Sequence, residues 1–332
     1  MSHSLAIFAL LVALPTSAKA PEPAPPVSIG YCTDDFGKAK AAGFDYVELG
    51  VRNFMKLTDD QFAGLIRARD QAGVLTPTAY LFLPTDMKVV GADVNDAAVM
   101  AYVRTAFSRS RRLGVELIVF GSGPARHVPD GFPKEKAMAQ LVAFAKRISP
   151  LARKERIVLG VEAQRKEETN IINSVEEGLA WVEAVNHPNF QLIADFYHMA
   201  ESKEDPRILL KAGAHIRHIH FANPIGRIFP RSASEYDYSG FFDNLRKSGY
   251  RGRISIEAGT RDLPEDGPRA VTFLRAAMAS GVAPPDSVVP TRNPAESARA
   301  PLGEKAPSPE PRVFGTLPGS GFDIRHAKNV VR

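Results

Sequence analysis

The sequence predicts an α/β protein built as a single (β/α)8 TIM barrel, and three observations lead there. Eight short β-rich runs alternate with segments of helical spacing between residues 27 and 281. Most of these runs are continuously apolar rather than alternating, as in parallel strands covered on both faces. Eight such units in this length also match a closed barrel, which takes about 250 residues. An open doubly wound sheet is the competing architecture. It would usually carry a glycine-rich phosphate loop after its first strand, where Tyr31-Cys32-Thr33-Asp34-Asp35 stands instead.

In chain order, strands are expected at Val27–Cys32, Phe44–Leu49, Pro77–Leu83, Val115–Phe120, Arg156–Glu162, Phe190–Asp195, His215–Phe221 and Arg253–Glu257. Thr58 and Gln61 read as a capping box opening a helix, with Leu57 stapled onto Phe62. Ser174 and Glu177 read as a second box ahead of Leu179, Val182 and Val185. Val271, Leu274 and Met278 form the apolar stripe of the last helix. Gly43, Gly73, Gly114 and Gly249 each follow a helical run, where a left-handed residue ends a helix at low cost.

The flanks read differently. Leu5 to Leu14 is an unbroken apolar run of ten residues, too short for a membrane-spanning helix, which needs about 20. With Ala18-Lys19-Ala20 behind it, residues 1–20 read as a cleaved secretory signal, although Met1 to Ser4 hold no Lys or Arg. Residues 21–26 read as a proline-rich linker, and residues 282–332, with nine of the 26 prolines, as a disordered tail. The expected location is exported and periplasmic, or cytoplasmic if the N-terminus is not a signal. No membrane span is expected after cleavage.

Composition narrows the function. Hydrophobic residues at 44% and charged residues at 24% exclude global disorder and a multi-span membrane protein. The net charge is +5, and the densest basic knot, Arg109, Arg111 and Arg112, has no interleaved aromatics. It reads as a solvated helix face, so no nucleic-acid partner is expected. The single Cys32 excludes an intramolecular disulfide and a cysteine-based zinc site.

Reactive groups of such a barrel sit at the C-terminal ends of its strands. The fifth strand ends in Glu162, the sixth in Asp195, the seventh carries His220, and the eighth ends in Glu257. An unpaired charge at the apolar end of a buried strand costs several kcal/mol, so three carboxylates around one imidazole imply a shared counter-charge. That oxygen-rich set suits one divalent cation, Mn²⁺ or Mg²⁺, with Co²⁺ admissible and zinc less apt. His198 follows Asp195 by three and can turn back toward the site to hold a substrate oxygen. His218 sits one layer deeper than His220 and reads as a packed barrel histidine. Glu48, ending the second strand, reads equally as a rim contact or a structural salt bridge. The Gly121–Arg126 loop offers backbone amides and Arg126 to a phosphate, but an unphosphorylated substrate is preferred.

Val161-Glu162, Glu168-Thr169-Asn170, Asp195-Phe196-Tyr197-His198-Met199, His218-Ile219-His220 and Ile254-Ser255-Ile256-Glu257, in this order, resemble the xylose-isomerase-like sugar isomerase/epimerase family. The similarity covers about residues 27–281, and the branch it is most similar to holds ketose 3-epimerases and hydroxypyruvate isomerases. The resemblance implies that Glu162, Asp195, His220 and Glu257 bind one divalent cation. It implies that Glu162 and Glu257 also transfer protons, and that Glu168 and His198 hold substrate oxygens. The substrate arginine that follows the seventh strand in the epimerases corresponds to Arg227, at a spacing one residue longer.

The expected activity is therefore a metal-dependent isomerase or epimerase of a small carbohydrate or hydroxy-carbonyl compound. It would abstract a proton α to a carbonyl polarised by the cation. A dehydratase of an inosose- or dehydroshikimate-like substrate uses the same proton abstraction, and a non-catalytic carbohydrate-binding barrel is the reading from another class. An abasic-site endonuclease would need more barrel histidines than the chain holds. A small carbohydrate is the expected partner, and a homo-oligomer is compatible with the sequence.

Overall fold

The computed structural model describes residues 27–280. The sequence expectations for residues 1–26 and for 281–332 lie outside them. Eight strands form a closed parallel barrel in chain order: β1 (Ile29–Cys32), β2 (Tyr46–Gly50), β3 (Leu75–Tyr80), β4 (Leu117–Phe120), β5 (Val158–Val161), β6 (Phe190–Asp195), β7 (Ile216–Phe221) and β8 (Arg253–Ile256). Closure comes from β1 pairing with β8, Gly30 opposite Ser255. The helices are α1 (Phe36–Ala41), α2 (Val51–Met55), α3 (Asp59–Ala72), α4 (Asp96–Arg112), α5 (Gly123–Arg126) and α6 (Lys134–Lys154). They continue with α7 (Val175–Val185), α8 (Phe196–Glu201), α9 (Ile208–Ala212), α10 (Ser239–Lys247) and α11 (Leu263–Ser280). Among the described residues, no helix is long and apolar enough to cross a membrane.

All eight expected strands form, most of them shorter than their apolar runs. β3 departs furthest, beginning at Leu75 and ending at Tyr80, because Leu81 takes a left-handed φ of 54° that breaks the ladder. The four glycines expected to end helices all have positive φ: Gly43 86°, Gly73 62°, Gly114 76° and Gly249 78°. Thr58 and Gln61 make both arms of their capping box, and Phe62 is fully buried behind it. Ser174 accepts from the Glu177 N–H at 3.1 Å, but Glu177 returns its carboxylate to the Asn173 N–H at 2.6 Å, one residue earlier than a capping box requires. Val271, Leu274 and Met278 all face the core along α11.

The basic knot on α4 is not a purely solvated face. Arg109 and Arg112 lie over the Phe62 ring at 4.9 and 4.8 Å, and Arg109 donates to the carbonyls of Phe54 and Leu57 at 2.9 and 2.8 Å. It thereby adds a donor to carbonyls at the end of α2 and in the turn that follows.

Two layers of packing hold the site up. Outside the strands, residues such as Phe120, Trp181 and Phe190 stack between sheet and helices. Each such buried side chain contributes about 1.5–3 kcal/mol. Inside, strand periodicity places residues i and i+2 on the same side. Leu117, Val119 and Ile193 form a separate apolar cluster. The same alternation that turns Ile193 inward turns Asp195 inward, and Gly160 leads to Glu162. A Cβ on Gly160 would sit 2.5 Å from Ile193, so only glycine fits this layer.

Candidate functional site

Glu162 and Glu257 each lie one residue past their strands, yet their backbones stay on the ladder. The Glu162 N–H donates to Phe120 O at 3.3 Å, and the Glu257 N–H to Phe221 O at 3.2 Å. Asp195 ends β6, and its Oδ1 caps α8 by accepting from the His198 N–H at 3.2 Å. His220 lies within β7, 1% exposed. One donor atom from each of Glu162, Asp195, His220 and Glu257 lies within 4.8 Å of all the others. Two ligands on opposite sides of an ion bonded at about 2.0–2.6 Å are about 4–5 Å apart, so the four fit a single ion. Three carboxylates and an imidazole are hard and borderline donors, compatible with a divalent metal.

Burial pushes the Glu162 carboxyl up, the neighbouring Glu257 and Asp195 charges add to that, and its contact with His220 opposes it. Burial also lifts Glu257, but the Arg227 guanidinium and His220 overcome it and hold this carboxyl well below the usual range. His220 Nδ1 lies 3.0 Å from Glu162 Oε1 and 3.3 Å from Glu257 Oε2. The two glutamates named as proton carriers therefore sit in unlike electrostatic environments.

His198 is 3% exposed, and its Nδ1 accepts the Arg165 N–H at 3.4 Å, which puts the ring proton on Nε2. That Nε2 has no hydrogen-bond partner and stands 4.0 Å from Glu168 Oε2 and 3.9 Å from Asp195 Oδ2. Glu168 accepts from Arg165 Nε at 3.3 Å and from Arg227 Nη1 at 3.5 Å. Arg227 donates from Nη2 to Glu257 Oε2 at 2.9 Å and lies 4.4 Å over the Tyr197 ring. Gly226 and Arg227 are both left-handed, with φ of 83° and 50°, and turn the loop back so that Asn223 N–H reaches Ile228 O at 2.9 Å. The longer spacing thus still delivers Arg227 to the rim.

Three residues carry more than the sequence indicates. Glu48 is fully buried and accepts from Thr78 Oγ1 at 2.8 Å, Ser255 Oγ, His218 Nε2 at 2.9 Å and His220 Nε2 at 3.0 Å. Of the two readings the structural pair holds, made with two histidines, and the rim contact does not. His218 is the packed barrel histidine expected. Gln164 Nε2 donates to Glu162 Oε2 at 3.0 Å, a contact two residues downstream that no motif marks. Arg126 is fully buried and gives its guanidinium to Glu162 O at 2.7 Å and Phe120 O at 3.2 Å. It braces the main chain at the ends of β4 and β5 rather than facing a phosphate.

The glycines of the same loop serve packing. A Cβ on Gly121 would fall 2.1 Å from Glu162 Oε2, and one on Gly123 2.5 Å from Gln164 Oε1. Leu83 N–H is taken by the Ser122 hydroxyl at 3.0 Å.

Residues 36–277 match the profile of the xylose isomerase-like TIM barrel family, spanning all but the first strand and the last turn of the described fold. The chain belongs to that family. Among known members it is similar to the L-ribulose 3-epimerase of Methylomonas sp. (strain DH-1), 27% identical over 68% of this chain and 77% of that protein. In structure it is similar to a D-psicose 3-epimerase solved in the presence of D-fructose. The TM-score is 0.67 at 18% identity, over 76% of this chain and 99% of that one. A D-allulose 3-epimerase from Methylomonas sp., solved in complex with D-allulose, gives a TM-score of 0.64 at 22% identity, over 76% and 97%. At these identities the two structures speak to the xylose isomerase-like fold alone.

Proposed function

We propose that this chain is a divalent-metal-dependent epimerase or isomerase of a small sugar, with a free ketose as its substrate class. The observation that carries the reading is the convergence of four donor atoms from four successive strands within 4.8 Å. The names of its relatives, an L-ribulose 3-epimerase and a D-psicose 3-epimerase among them, favour ketose epimerisation at C3 over the dehydratase and the non-catalytic binder.

Glu162, Asp195, His220 and Glu257 would hold the ion, and the hard donor set favours Mn²⁺ or Mg²⁺. When bound, such a cation supplies the positive charge that makes a proton next to a carbonyl acidic enough to remove. Glu257, held ionised by Arg227, is the proposed base. Glu162, from the end of β5, is the proposed partner that returns a proton to the other face. Return to the opposite face of the same carbon is epimerisation, and return to the neighbouring carbon is isomerisation. His198 offers a dry, unpartnered Nε2–H to a substrate oxygen. Glu168 and Arg227 line the same opening and are the proposed hydroxyl contacts.

An uncharged substrate is favoured because each arginine near the opening is already engaged. Arg126 holds two carbonyls, Arg165 pairs with Glu168 and Glu201, and Arg227 with Glu257 and Glu168. Among the described residues, none of these three guanidiniums is left over for a phosphate. Free sugars also agree with the exported location proposed from the N-terminal sequence.

The test is a panel of free ketoses incubated with Mn²⁺-loaded protein in deuterated water. The proposal expects interconversion of C3 epimers with solvent deuterium at C3. Loss of water from the product would assign the dehydratase, and sugar binding without exchange would assign the binder.

A further inference from the structure

Glu48 stands behind the four residues of the site rather than among them, and its contacts are unusual for a buried carboxylate. An ionised carboxylate only accepts, so both His218 and His220 must carry a proton on Nε2 where they face it. Thr78 and Ser255, from β3 and β8, donate to Oε2, and Tyr46 lies within 2.8 Å of the Ser255 hydroxyl. The carboxylate is thus fixed from three strands besides its own, and of its partners only His220 belongs to the site, Thr78, Ser255 and His218 being buried beneath it.

We infer that Glu48 is a positioning residue for His220. It accepts the Nε2 proton and so leaves Nδ1 as the atom turned toward Glu162 and Glu257. It also fixes the ring's rotation about the strand. The inference rests on the proposed function in one respect, that the imidazole serves as a ligand. Histidines that bind metals commonly donate their other ring N–H to a carboxylate, and losing that partner costs about 10–100-fold in affinity. Glutamine at position 48 is nearly the same shape but presents one donor edge. It can satisfy His220 only by turning its amide toward His218, Thr78 and Ser255, which all donate now, or it can face His220 with the amide and force the ring to accept.

The experiment compares wild type with Glu48→Gln and Glu48→Ala in two readouts. Free Mn²⁺ measured by electron paramagnetic resonance gives affinity, and ¹⁵N-resolved NMR of the histidine rings shows which His220 nitrogen bears hydrogen. Thermal melting of cation-stripped protein checks that each variant is folded. Expected are a protonated, slowly exchanging His220 Nε2 in cation-free and Mg²⁺-loaded wild type, and Mn²⁺ binding about 10–100-fold weaker in Glu48→Gln. Activity of that variant should recover at saturating Mn²⁺, because Glu48 touches no substrate. A bare His220 Nε2 in wild type, or unchanged Mn²⁺ affinity in both folded variants, overturns the inference. Should wild type bind no divalent cation, the proposed function fails, while the ring-proton readout still decides whether Glu48 sets the histidine.

Discussion

Replacing Glu257 by Gln removes a base and one anionic ligand of the proposed ion while keeping the side chain's shape, so turnover is read at saturating Mn²⁺. The amide has the same shape and still accepts from Arg227 Nη2, which stands 2.9 Å away and keeps Glu168 as a second partner. What disappears is a base that Arg227 and His220 hold ionised. A positioned general base contributes about 10²–10⁴ in rate. At about 1.36 kcal/mol per decade, that is about 2.7–5.5 kcal/mol of barrier. The fold should lose far less. A charge-assisted bond becomes a neutral one in a half-buried pair, a cost of about 1 kcal/mol, or a Tm lower by about 2–4 °C for a domain of this size. Ketose turnover followed by chromatography at saturating Mn²⁺, with calorimetry on the same samples, reads both. Turnover within tenfold of wild type would refute the assignment of Glu257 as base. A collapse in Tm would mean the residue is structural.

Three further outcomes are expected. Stripping divalent cations with a chelator should lower Tm by about 5–10 °C relative to protein held at a hundredfold excess over Kd, which contributes about 2.7 kcal/mol. An unchanged melting curve would show that no cation is bound tightly. Gly121→Ala should reduce kcat and Mn²⁺ affinity together, because its Cβ would fall 2.1 Å from Glu162 Oε2; normal values for both would place that loop away from the carboxylate. Arg126→Met should destabilise by about 1–3 kcal/mol in denaturant melts, since the Glu162 carbonyl loses its side-chain donor while Phe120 O keeps the Glu162 N–H. If Arg126 instead recognised phosphate, the variant would melt normally and lose only sugar-phosphate binding.

Much of this was legible in the chain, for identifiable reasons. A charged residue closing an apolar run is costly, so Glu162, Asp195 and Glu257 stood out against Val161, Ala194 and Ile256 without any knowledge of pairing. Strand ends were harder. Phe82 and Leu83 are as buried as any strand residue, yet the ladder stops before them because Leu81 is left-handed, a property that hydrophobicity does not encode. Glu48 was the most understated. Its partners Thr78, His218, His220 and Ser255 are up to 207 residues away, and only the register across β2, β3, β7 and β8 brings them together. Arg126 misled in the opposite sense: a basic residue after Gly-Ser-Gly has the form of an anion site, but its side chain turns inward to carbonyls.

Anomalous diffraction from crystals soaked in Mn²⁺ tests the central claim most directly. The account predicts one peak per chain, within about 2.0–2.6 Å of an oxygen or nitrogen from each of Glu162, Asp195, His220 and Glu257. A peak elsewhere, or none in protein that is fully active, would contradict it.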